Sequence, residues 1–118
     1  MIKPELKGEP YLQNMQDLDK FIPNDPEIFS VIIEFGIGTP DSEGFDNYTV
    51  NVCTPAWLKN DLEKNGKPNF LKGTLLVEEY NPDIIIDRIR EVILATSGKD
   101  WTHCNLKLVK YFNWEFED

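Results

Sequence analysis

From Phe29 to Phe35 apolar side chains alternate with Ser30, Ile32 and Glu34, the period-two pattern of a strand with one apolar face. Tyr48, Val50 and Val52 alternate with Asn47, Thr49 and Asn51 and give a second, half-solvated strand. The intervening run from Gly36 to Gly44 is rich in turn residues, so the two strands are close enough to pair as an antiparallel hairpin. Thr54 then offers a hydroxyl cap, with Pro55 at the first helical position. Trp57, Leu58 and Leu62 make a short amphipathic helix that ends near Asn65-Gly66, where glycine suits a left-handed cap. Residues 69–79 carry Phe70, Leu71, Leu75, Leu76 and Val77 and read as a third strand, more fully buried than the second. Asn81-Pro82 opens the most regular helix, with Ile85, Ile86, Ile89, Val92 and Ile93 on one side and Gly98 closing it. Asp100 caps a last helix through Trp101, Cys104, Leu108, Val109 and Phe112, with a strand through Leu106 and Leu108 as the alternative. At the other end, Lys3 to Lys7 read as a strand, and Pro4, Pro10, Pro23 and Pro26 predict loop through much of the remainder of 1–27.

These elements predict an α+β domain: a small antiparallel sheet of about four strands, with two to three helices packed on one face. The 118 residues are enough for one domain with its own core and no disulfide or metal staple, so residues 1–118 are read as a single unit. No repeat, long linker, signal-type apolar segment or membrane-length apolar run interrupts it, which points to a cytoplasmic protein with two reduced thiols, Cys53 and Cys104.

Charge narrows the partners. With 21 Asp plus Glu against 12 Lys plus Arg, the chain carries a formal net charge of -9. Such a surface repels phosphate backbones and anionic membranes, and it speeds encounter with a basic protein.

Groups able to do chemistry are few. His103 is the single histidine. It adjoins Cys104, but neighbouring helical residues point about 100° apart, which disfavours a Cys-His nucleophile pair. There is no CxxC, HExxH or P-loop pattern, and Gly36-Ile37-Gly38 is followed by a loop instead of a helix start. Asp41-Ser42-Glu43-Gly44-Phe45-Asp46 has carboxylates and a glycine without the twelve-residue spacing of a calcium loop. The reading is therefore a non-enzymatic chain without cofactor or metal.

Binding surfaces are better supplied. Carboxylates gather at Asp41, Glu43 and Asp46 in the hairpin loop, at Glu78 and Glu79 after the third strand, and at Glu115, Glu117 and Asp118 near the end. If two clusters share a face, they form an acidic docking patch. Trp57 and Trp101 lie on apolar helix faces and read as core, whereas Trp114 sits in an acidic aromatic run and is a candidate anchor. The candidate contact set is Asp41, Glu43, Asp46, Glu78, Glu79, Trp114, Glu115 and Glu117. A binding role predicts a flat or shallowly concave acidic face with a few exposed aromatics, Tyr48 or Trp114 among them.

The run from Phe29 to Gly38, then Gly44 to Leu58 with its Val-Cys-Thr-Pro-Ala-Trp-Leu, resembles the immunity protein 8 family of bacterial polymorphic toxin systems. So do Glu79-Tyr80, the isoleucine-rich helix to Gly98, Trp101 and the terminal Trp-Glu-Phe-Glu-Asp. The resemblance implies a cytoplasmic antidote that binds the C-terminal domain of a cognate toxin. It brings no catalytic or toxin-contacting residues with it. Toxin domains of such systems are often nucleases, which tend to be basic, and a charge of -9 fits such a partner. A direct nucleic-acid or membrane partner is not implied, and the antidote would act as a monomer or weak homodimer. Two other classes compete. A general α+β adaptor or small-ligand-binding domain would show a deep apolar pocket. A small enzyme using Cys104 or carboxylates would show a cleft with a raised carboxylate pKa.

Overall fold

The computed structural model describes residues 1–117. The elements run β1 (Glu5–Leu12), a 3-10 turn (Leu18–Lys20), β2 (Ser30–Gly38), β3 (Asp46–Cys53), α1 (Pro55–Asn65), β4 (Thr74–Leu76), α2 (Pro82–Leu94), α3 (Trp101–Leu108) and β5 (Asn113–Trp114). One five-stranded sheet has the order β1-β2-β3-β4, with β5 also beside β3. The neighbours are antiparallel except for β4, which runs parallel to β3 after the α1 crossover. The α+β class with an antiparallel sheet holds, with one parallel edge strand added.

The alternation along β2 and β3 sets the layers. Ile33 pairs with Val50 and Phe35 with Tyr48, and all four side chains are buried. Against them lie Ile85, Ile89 and Ile93 of α2, each about 1% exposed, and Leu108 of α3 with Phe112 just beyond it. Each such side chain stabilises by about 1.5–3 kcal/mol relative to exposure. Phe112 meets Phe35 edge-on at 5.0 Å between ring centres. The helix caps follow local chemistry: Thr54 Oγ1 accepts from the Trp57 N–H, and Asn81 Oδ1 from the Ile84 N–H. Gly66 ends α1 at φ 71°, a conformation that a side chain would oppose.

Several expectations are corrected. β1 extends past Lys7 to Leu12, because a bulge between Lys7 and Tyr11 takes Pro10 out of the ladder. β2 continues through Gly36 and Gly38 instead of ending at Phe35. Both glycines are needed there: a Cβ on Gly36 would lie 2.4 Å from the Phe45 ring, and one on Gly38 would lie 2.3 Å from the Gly44 carbonyl oxygen. The expected buried third strand shrinks to three residues at the sheet edge, with Phe70 and Leu71 exposed in the preceding loop. Those two side chains carry no alternation, so apolar content alone could not orient them. α1 buries no side chain completely, and Trp57 is half-buried; Trp101 is also half-buried but packs against the core. α2 stops at Leu94, and Gly98 instead exchanges backbone hydrogen bonds with Ile2, at 2.7 and 3.1 Å. The last segment is helical, with Asp100 Oδ1 accepting from the His103 N–H.

Candidate functional site

α2 and α3 cover one face of the sheet, and much of the other face stays accessible. Register places Tyr11, Ser30, Ile32, Glu34, Asn47, Thr49 and Asn51 on the open side. Ser30 donates to Asn51 Oδ1 at 2.9 Å, and the Tyr11 hydroxyl donates to the Glu34 carboxylate. That hydrogen bond holds the Tyr11 pKa above the usual tyrosine value. Ile32 and Phe45 remain 40% and 53% exposed on a surface that is otherwise polar.

Two open grooves flank this face. One, of about 520 Å³, is bounded by Asn14, Phe21, Ser30, Ile32 and Asn51. The other, of about 640 Å³, lies against the β2–β3 hairpin, and its lining includes Lys7, Glu9, Tyr11, Glu43, Phe45 and Asn47. Neither is an enclosed apolar cavity.

The segment that builds the two central strands is one-signed in charge. From Phe21 to Leu58 the chain has no Lys or Arg but six carboxylates: Asp25, Glu27, Glu34, Asp41, Glu43 and Asp46. Lys7 reaches the hairpin from β1, but it is committed to Glu5 and to the Ser42 carbonyl, at 2.9 and 2.8 Å.

The candidate contact residues divide into three places. Asp46, Trp114, Glu115 and Glu117 come together where β5 closes onto β3. Asp46 Oδ2 accepts the indole N–H groups of Trp101 and Trp114, at 3.3 and 3.1 Å. Glu115 accepts from the backbone and side-chain amides of Asn47, at 3.0 and 3.2 Å. Glu117 accepts from the Trp114 N–H at 3.0 Å and pairs with Lys72, and the ammonium of Lys72 holds its carboxyl below the ordinary value. Asp41 and Glu43 are exposed in the hairpin loop, and Glu43 rims the larger groove. Glu78 and Glu79 are exposed at the opposite end of β3, since the Val77 N–H donates to the Cys53 carbonyl. The eight residues of β3 separate those ends by about 24 Å. Asp118 lies outside the described residues.

Tyr48 is not an exposed aromatic: it is fully buried and donates to Asn105 Oδ1. Burial, followed by the field of Asp46, raises its pKa. The exposed aromatics among the described residues are Phe45, Phe70, Tyr111 and Phe116. Tyr11 is half-buried on the open face, and neither it nor Phe45 has a periodic signal in the sequence to mark it. Trp114 is half-buried, with Phe116 edge-on to it at 5.3 Å.

Little here fits catalysis. Cys104 is buried with its thiol directed to the Ile2 carbonyl, and burial raises its pKa away from the thiolate. His103 faces solvent with Nδ1 2.6 Å from Asp100. Among the described residues, no group of three His, Cys, Asp or Glu side chains could hold a metal ion, and no helix is long and apolar enough to cross a membrane.

The family model described as Immunity protein 8 matches residues 5–118, essentially the whole chain. No curated protein and no solved structure matches it.

Proposed function

The chain belongs to the immunity protein 8 family, and from that membership we propose that it binds a cognate toxin through the open face of its sheet and neutralises it without catalysis. The family implies the toxin as partner. Beyond that, the proposed partner is the toxin's C-terminal domain, a basic nuclease domain, met in the cytoplasm by a monomer or weak homodimer of this chain. The observation that carries the reading is the cation-free stretch from Phe21 to Leu58, which builds the hairpin beside the open face.

In this reading Asp41 and Glu43 make direct contact, and Glu78 and Glu79 add long-range attraction from the far end. Asp46, Trp114, Glu115 and Glu117 hold the rim in shape and supply contacts at its edge. Such fields raise association rates more than they deepen affinity. The carboxylates either occupy the positions of nucleic-acid phosphates over the toxin's active site or block it from beside.

The test is co-expression with a candidate cognate toxin domain from the same genome. Protection of cells, together with a one-to-one complex of the purified proteins, is expected. Survival no better than with an empty vector would remove the antidote reading. Retention of a small molecule by the purified chain would favour the ligand-binding class instead.

A further inference from the structure

The larger groove has a composition that acidity alone does not supply. Its lining includes two aromatic residues, Tyr11 from β1 and Phe45 from the hairpin. Its rim carries Glu9 and Glu43, both exposed. Gly8 and Gly36 line it without side chains, and the Phe45 ring lies over Gly36, within 3 Å of where a Cβ would stand. Lys7 and Ser42 also line the groove, and the Lys7 ammonium is held there by the Glu5 carboxylate and the Ser42 carbonyl, at 2.9 and 2.8 Å, so its charge is already paired. The volume of about 640 Å³ accommodates a long side chain together with its neighbours on a protein surface.

We propose that this groove seats an arginine side chain of the basic partner, its guanidinium between the Tyr11 and Phe45 rings and hydrogen-bonded to Glu43 and Glu9. The proposal rests on the toxin-binding reading of the open face and adds the chemistry at its centre. Arginine fits better than lysine: its planar cation stacks on aromatic rings, donates in a fork to a carboxylate, and is weakly hydrated. Phe45 and Tyr11 are then aromatic anchors of the kind that dominate interface energetics, and the surrounding carboxylates steer the approach.

The experiment is a titration of isotope-labelled protein with N-acetyl-arginine amide at low salt, followed by amide chemical shifts. Saturable shifts at Tyr11, Gly36, Phe45 and Asn47 are expected, weakened about fivefold or more by Glu43→Gln and by Phe45→Ala. Neither Glu78→Gln nor N-acetyl-glycine amide in place of the arginine probe should reproduce those effects. Shifts spread equally over Glu78 and Glu79, or equal binding of N-acetyl-lysine amide, would overturn the arginine seat. Circular dichroism and melting of each variant separate loss of the seat from loss of the fold.

The same variants are then measured against the toxic domain. Weakening of about tenfold or more at unchanged melting temperature supports the seat. Unchanged affinity overturns it and leaves the antidote reading standing. Failure of the unaltered chain to bind the toxic domain overturns both, even where the arginine probe binds.

Discussion

At one end of β3, Asp46, Glu115 and Glu117 together accept hydrogen bonds from two indoles, the Asn47 amides and the Trp114 backbone. At the other end, Glu78 and Glu79 are exposed and make no side-chain hydrogen bond among the described residues. Both sets read as solvated acid clusters along the chain, yet one closes the fold and the other only charges the surface. The difference lies in what faces them. β5 brings Trp114 and the C-terminal turn onto the start of β3, giving those carboxylates half-buried donors to satisfy. β4 presents only a three-residue edge to the far end. A hydrogen bond to an ionised group contributes about 1.5–3 kcal/mol, whereas an exposed charge contributes almost nothing to stability.

The largest expected effect is at Asp46. Asp46→Leu deprives two half-buried indole N–H groups of their acceptor and should cost about 2–4 kcal/mol in urea unfolding. Asp46→Asn keeps an acceptor oxygen and should cost roughly half as much. Glu78→Ala and Glu79→Ala should fall within about 0.5 kcal/mol of the parent chain. Equal costs at both ends of β3 would erase the distinction.

A smaller effect separates the ends by pH. The Glu117 carboxyl is held below its ordinary value of 4.5, chiefly by Lys72. The folded state then binds fewer protons than the unfolded state between those two values, so this contribution is present above pH 4.5 and is lost on acidification through the lower, folded value. The pair is partly exposed, and solvent screening limits the contribution to under about 1 kcal/mol. Lys72→Met should flatten the acid limb of stability against pH, and Glu79→Gln should leave it in place. An acid limb unaltered by Lys72→Met would show that the pair adds nothing to the closure.

How much of this was legible depends on distance along the chain. The hairpin, the Thr54 and Asn81 caps, the Gly66 stop and the isoleucine face of α2 are local patterns, and they appear where their chemistry places them. The roles of the carboxylates are not local. Asp46 meets Trp101 and Trp114 across separations of 55 and 68 residues, and nothing near Asp46 announces an indole. Tyr11 carries no local signal because Pro10 interrupts its strand, and Phe45 carries none because it lies in a turn and packs over Gly36, nine residues away. The apolar pair Phe70-Leu71 misled in the opposite direction: it read as buried strand and is exposed, since hydrophobicity without period does not choose a face.

The smallest stability effect accompanies a measurable kinetic one. Glu78→Gln with Glu79→Gln should leave unfolding unchanged, because neither side chain holds a neighbour in place. If the far end only attracts, association with the toxic domain slows about two- to fivefold at low salt while dissociation stays the same, and the difference fades as screening shortens the reach of the charges. Glu43→Gln should behave otherwise: Glu43 rims the groove that the partner fills, so its loss speeds dissociation and persists at moderate salt. Stopped-flow association across a salt series reads both. If Glu78→Gln with Glu79→Gln instead speeds dissociation as Glu43→Gln does, the contact surface extends along all of β3, and the division between a gripping end and a steering end fails.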